Sequence, residues 1–488
     1  MSESRKIIRS FFYTVASGYV ARLGSLLITF LLRDELGPEA FDITLTGLII
    51  FILFSGVRDF GWMHSLLHFQ EYVESFVQTH FFLNALISFA VCLLTCVVAG
   101  GLYFYDQSRY AWPATVICTC SILYFIRCLT QTSEALLRKD FEFGRLGLFH
   151  GLATISALCT SLCAAWYGWE HWSLLLGGWT TYSVFSLVYT LTYSSAVWIS
   201  RPIGIWPIRI DWVWVRKLLN YGKWFWLAWG VLLNFIWNFD KLFLSIVDNG
   251  SLGLYEYAWW LMQLPTAIVT HIVFSYTNTL YSRFQGNRKQ LGTLFSRIMA
   301  IILRVSSLVA LILAISANEV TALLKVEWAP AAAMMVSLTA YAFLRPLFDD
   351  GIGLLWAVGD TKRTALIMGG QAVGVIVLVP VLWWWAGIQG VCYAMGVVAG
   401  VGVLGVATGV RRYADIEWGI IVITPVVALV VAVISSVIYN SIELDFGEPI
   451  SNMTVRAGCV GGVYCGAIWA LERQRLVLYL SQLKCAVF

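Results

Sequence analysis

Charge is what this sequence has least of. Asp, Glu, Lys and Arg make up 12% of its 488 residues, against about 25% in soluble domains, and no polar connection is long enough to form a soluble domain. An ordinary globular enzyme is thereby excluded. A cysteine framework is lacking too: the eleven Cys are scattered mostly within apolar runs, in pairs such as Cys92 with Cys96 and Cys159 with Cys163, so neither a zinc site nor a secreted disulfide scaffold is expected. His64 and His68 lie four apart with no third ligand nearby, which leaves no metal site and no cofactor to predict. The net charge of +4 is dispersed over short loops and gives no footprint for nucleic acid. The DFG triplet at Asp59 sits in an apolar run and has no soluble catalytic loop around it, so no kinase is implied.

What is present is apolar sequence in membrane-sized pieces. The chain is 59% hydrophobic, has a mean hydropathy of +0.76 and contains about fourteen apolar runs of about 20 residues, the first near 10–32 and the last near 453–471. This pattern predicts an all-α polytopic membrane protein. The first run shows no small-residue cleavage site and is expected to stay as an anchor. With an even number of spans and both termini in the cytoplasm, Arg138, Lys139, Arg145, Arg201, Arg209, Arg288, Lys289, Arg411 and Arg412 fall on the inner side. Asp34, Glu35, Glu39, Glu443, Asp445 and Glu448 fall outside, so the positive-inside rule is met in that orientation.

Some charges stand where lipid rejects them. A charged side chain at the centre of a membrane helix costs about 2.5–3.5 kcal/mol on insertion scales, so it normally faces a bundle interior or a hydrated cavity. Arg22 lies near the midpoint of the first run, Arg58 and Asp59 in the second, Arg127 in the fourth, Asp240 and Lys241 in the seventh, and Arg304 in the ninth. Glu256 opens the eighth run, and the tenth carries Arg345 and Asp349 four residues apart. Asp240 fits either neutralisation by a neighbouring helix or a part in transport. Arg345 and Asp349 fit either an in-helix ion pair or a cavity. Cations are in excess, and arginine forks suit phosphate oxygens.

Several stretches carry a family likeness. NFIWNFDKLFLS followed by GLYEYAWWLMQLP, the turn LRDELGPEAFD, the connection ALLRKDFEFGRLG, and the short segments LLKVEWAPAA and GDTKRT together resemble the polysaccharide transporter family, the O-antigen and exopolysaccharide flippases of the MATE-like exporter superfamily. Asp42 stands where that family usually has Gly. The likeness implies two six-helix lobes around a central cavity plus two extra C-terminal helices: 1–199 as the first lobe, 200–217 as an interfacial linker, 218–410 as the second lobe, and 411–488 as the added helices and tail. A weak internal repeat, 36–44 against 247–255 at an offset of 211 residues, agrees with two related halves.

The same likeness implies a transporter of the cytoplasmic (inner) membrane and not an enzyme. Its expected cargo is an undecaprenyl-diphosphate-linked oligosaccharide, moved by alternating access in surface polysaccharide synthesis. The membrane lipids, the polymerase and the glycosyltransferases of that pathway are the expected partners. Arg22, Arg58, Arg127, Lys241, Arg304 and Arg345 are then the candidate substrate-binding cations, and Asp59, Asp240, Glu256 and Asp349 the candidate coupling-ion carboxylates. A MATE-type small-molecule or ion antiporter, and a membrane polymerase or ligase, are the alternatives.

Overall fold

A computed structural model of the chain describes residues 31–32, 38–58, 74–139, 143–175, 210–248, 250–267, 277, 281, 284, 286–324, 326–441 and 449–487. Among the described residues there is no strand. In hydrocarbon every backbone N–H and C=O must be satisfied within the segment, which leaves the helix as the form for such runs. Seven described helices are long and apolar enough to cross a membrane, or eight if the bent pair Val326–Ser337 and Thr339–Ala357 is one span. The helices are α1 (Pro38–Val57), α2 (Glu74–Tyr105), α3 (Gln107–Lys139), α4 (Phe143–Trp166), α5 (Glu170–Leu175), α6 (Trp212–Phe225), α7 (Asn234–Val247) and α8 (Leu252–Met262). They continue with α9 (Arg288–Ile315), α10 (Ala317–Ala322), α11 (Ala331–Ser337), α12 (Thr339–Ala357), α13 (Thr361–Val410), α14 (Thr424–Ser441) and α15 (Pro449–Val487).

The chain forms two compact units, 1–253 and 254–488. Within the first unit the seventh apolar run packs on α1. Trp226 Nε1 donates to the Val57 carbonyl at 2.6 Å, and Asn234 Nδ2 to the Ile52 carbonyl at 2.7 Å. Gly56 allows this approach, since a Cβ there would collide with the Asn234 side chain and the Gly230 carbonyl. The contact coincides with a π-helical stretch, Trp226–Leu233, joining α6 to α7. Such wide turns mark places where a helix is locally displaced from regular packing.

In the first unit α2, α3 and α1 share an apolar core around Phe51, Val116, Ile117 and Cys120. Gly47 on α1 rides against the backbone of Pro113 on α3. Asp106 joins α2 to α3; the Ser108 hydroxyl at 2.6 Å and the Arg109 backbone N–H hold its carboxyl below the usual range. The stabilisation this supplies is present above the unfolded carboxylate pKa and is lost as pH falls through the lowered one.

In the second unit α13 contains two of the expected spans. Its helix breaks at Ala386 and Gly387, the latter with φ +58°, a conformation glycine adopts without strain. The two arms run antiparallel: Gly409 meets Arg363, Gly405 meets Ile367, and Gly402 meets Gln371, whose amide donates to the Val398 carbonyl at 3.1 Å. Elsewhere Tyr257 of α8 packs edge-on to the fully buried Trp328, and Trp259 lies 4.3 Å from Tyr341 of α12. The last helices are not loosely attached. Leu311 of α9, Ala428 and Ala432 of α14, and Val460 and Tyr464 of α15 form one core.

Candidate functional site

A buried arginine stands just past the end of α1. Arg58 is 1% exposed; its guanidinium donates to the Cys128 thiol and the Gln131 amide oxygen of α3 and stands 5.0 Å from the centre of the Tyr124 ring. Arg127, half-buried, precedes Cys128 in the chain. A polar layer continues into α2: His80 shares a hydrogen bond with Thr132 at 3.1 Å, and Asn84 donates to the Cys128 carbonyl at 2.7 Å. The sequence reading passed over His80, Asn84 and Ser88, although their spacing of four residues marks one polar stripe on an apolar helix.

Along α7, Asn238 donates to both the carbonyl and the side-chain oxygen of Asn234, each at 2.8 Å, which extends the ladder begun at Ile52. Lys241 donates to the Trp237 carbonyl at 2.6 Å, and its ammonium stands 4.0 Å from the fully buried Asp240. Two charges of opposite sign thus sit side by side. As a pair they leave little net charge for a ligand.

At the other end of α1 the repeat noted in the sequence becomes a contact. Asp42 and Gly253, equivalent positions at the 211-residue offset, touch: the Asp42 carboxylate accepts the Gly253 backbone N–H. Nearby, Arg109 donates to the Ser245 and Ile246 carbonyls at 3.0 and 3.3 Å, near the C-terminal end of α7. Asp42, Thr46, Arg109, Tyr110, Ser245 and Asp248 help to line a cavity of about 380 Å³. A Cβ on Gly253 would press on the Pro38 carbonyl and on Asp42. Gly253→Ala is therefore expected to cost about 1–3 kcal/mol through overpacking, read as a lower thermal midpoint in lipid or detergent, whereas Gly250→Ala, with open space around the new Cβ apart from Asp42, loses less of its cost to packing and more to its φ of +108°.

The second unit holds the remaining candidates in separate places. Arg345 pairs with Asp349 at 2.9 Å within α12 and lies over the Phe348 ring. Glu256 is half-buried on α8 between two fully buried tyrosines, Tyr255 and Tyr257. Arg304, expected to face a substrate, makes a two-pronged pair with Glu472 of α15, with Nε to Oε2 at 2.8 Å. Ser307 and Tyr464, 2.5 Å apart, reinforce that seam. The sequence reading ended the last span at 471 and so missed Glu472. It also missed Asp350, which is fully buried and accepts a hydrogen bond from the Tyr281 hydroxyl at 2.8 Å and a longer one from the Thr277 hydroxyl at 3.3 Å. Arg22 and Asp59 lie outside the described residues. Of the candidate cations, Arg58 reaches Cys128 and Gln131 of α3, the helix that also carries Arg127, while Lys241, Arg304 and Arg345 each lie beside a carboxylate. Among the described residues no group of three His, Cys, Asp or Glu is placed to hold a metal ion.

Comparison with known proteins agrees with this architecture. The lipopolysaccharide biosynthesis protein WzxC of Escherichia coli (strain K12) is 22% identical over 379 residues, covering 74% of each chain. Among solved structures, the inward closed conformation of the lipid II flippase MurJ superposes with a TM-score of 0.74 at 12% identity, over 95% of this chain and 99% of that one. An outward-facing multidrug resistance MATE family transporter of the MOP superfamily gives 0.62 at 14% identity, over 84% and 96%. The fold is therefore the one shared by these transporters, in a multi-pass membrane protein. Residues 35–333 match the family described as polysaccharide biosynthesis protein, and with more than half of its length inside that match the chain belongs to that family.

Proposed function

We propose that the chain is a flippase of the cytoplasmic membrane, with both termini inside, that carries a polyprenyl-diphosphate-linked oligosaccharide outward by alternating access. The observation that carries this reading is the pairing of polysaccharide-biosynthesis family membership with a fold that follows a lipid II flippase over 95% of the chain. The physics supports it. An isolated ion taken into a medium like hydrocarbon costs tens of kcal/mol by Born estimates, so a diphosphate crosses only beside fixed positive charge and water. Arg58, held by Cys128 and Gln131 of α3, supplies that charge in the first unit, and Arg127 precedes Cys128 on the same helix. A guanidinium fork matches phosphate oxygens in both charge and shape. The polyprenyl tail remains in lipid while the headgroup passes.

Deletion of the gene is the direct cellular test. Carrier-linked oligosaccharide is expected to collect on the inner face of the membrane, with surface polymer lost. Unpolymerised units collecting on the outer face point instead to a polymerase. Dye or drug sensitivity with normal polymer points to a small-molecule antiporter, the reading that the MATE likeness favours.

A further inference from the structure

Two consecutive aspartates on α12 are held in opposite ways. Asp349 is paired with Arg345 at 2.9 Å. Asp350, turned about 100° further round the helix, meets no cation among the described residues. Its two bonds come from the neutral hydroxyls of Tyr281 and Thr277, and it is 0% exposed. Among the described residues the titratable groups around it are Tyr281 from the preceding segment and, on its own helix, Asp349 with its partner Arg345. α13 contributes Val406, against which Gly351 packs, and α9 contributes Phe295, whose ring lies 6.0 Å from that of Tyr281; neither carries charge.

An ionised carboxylate with only neutral donors is expensive to bury, and the protonated acid is not. Asp350 also sits seven residues before the end of α12, roughly 10 Å at 1.5 Å per residue, within reach of one membrane face. Two hydroxyls that can turn as donor or acceptor suit both protonation states: they donate to the carboxylate, and either can accept from the acid. A sodium ion needs a fuller shell of oxygens than one carboxylate and two hydroxyls provide.

From this geometry we infer that Asp350, with Tyr281 and Thr277, is a proton-binding site that links α12 to the segment carrying 277 and 281. Loss or gain of the proton rearranges the bonds between the two segments, and this is how a proton gradient drives the carrier. That last clause rests on the flippase reading; the proton site itself does not.

Infrared difference spectroscopy of the full-length protein in nanodiscs, between acid and alkaline buffers, tests the site. The wild type is expected to show a protonated-carboxyl band that titrates, is absent in Asp350→Asn, and is shifted in Tyr281→Phe through the lost hydroxyl. A band unchanged in both variants overturns the proposal, and Tyr281→Phe decides alone if Asp350→Asn does not fold. Displacement of the band by sodium chloride at fixed pH, in the wild type and not in Asp350→Asn, replaces the proton site by a sodium site. In cells, export is expected to follow external pH in the wild type and not in Asp350→Asn. Export by Asp350→Asn with wild-type pH dependence overturns the coupling and leaves the flippase standing. Failure of the wild type to move carrier-linked sugar removes the flippase reading, and the spectra still decide whether Asp350 takes a proton.

Discussion

Arg58→Ala is expected to reduce surface polymer export by about tenfold to a hundredfold, the equivalent of the roughly 1.5–3 kcal/mol assigned to a hydrogen bond made by a charged group. The effect is large because Arg58 is almost wholly buried and its guanidinium is held in place by the Cys128 thiol and the Gln131 amide oxygen. Arg58→Lys retains the charge but not the fork, so an intermediate loss is expected. Membrane abundance of each variant separates transport from folding, since removing the guanidinium also leaves Cys128 and Gln131 without a donor. Arg127→Ala is expected to deepen the defect, as a second half-buried cation on the helix that holds Arg58. Wild-type export in an Arg58→Ala, Arg127→Ala double variant of normal abundance contradicts the assignment of this layer to the substrate.

Glu472→Ala is expected to cost about 3–5 kcal/mol of stability, because it strands Arg304 as a buried, uncompensated charge. Both side chains are nearly excluded from the surface and make two contacts with one another. Replacing both by methionine is expected to recover most of the loss, since well-packed apolar groups often substitute for a buried pair at no net cost. Thermal unfolding in detergent and membrane abundance measure this. Full export by the double-methionine variant assigns Arg304 to the seam between α9 and α15. Lost export at normal abundance and unchanged stability returns Arg304 to the substrate path.

These cases show what a sequence discloses. The helical class and the membrane setting were legible because hydrocarbon leaves the backbone few options and demands long apolar runs. The Arg345–Asp349 pair was legible as well, since four residues of spacing place the two groups on one helix face. Arg304 and Glu472 are 168 residues apart, and no local pattern joins them. Asp350 was hidden beside Asp349: its distinct role depends on hydroxyls 69 and 73 residues earlier. The polar stripe of His80, Asn84 and Ser88 was readable but diluted by the apolar residues around it. The seventh run follows α1 through Asn234 and Trp226, contacts that hydropathy does not encode.

Transport of the carrier lipid is most directly measured in proteoliposomes loaded with a polyprenyl-diphosphate-linked oligosaccharide from the same cells, with a glycan-cleaving enzyme added outside. Liposomes without protein expose about half of the carrier, the share in the outer leaflet, because an ionised headgroup does not cross hydrocarbon unaided. Vesicles containing the wild-type chain are predicted to release nearly all of the glycan, and those containing the Arg58→Ala chain to stay near the protein-free level. Release that stops at the outer-leaflet share with folded wild-type protein present contradicts the account.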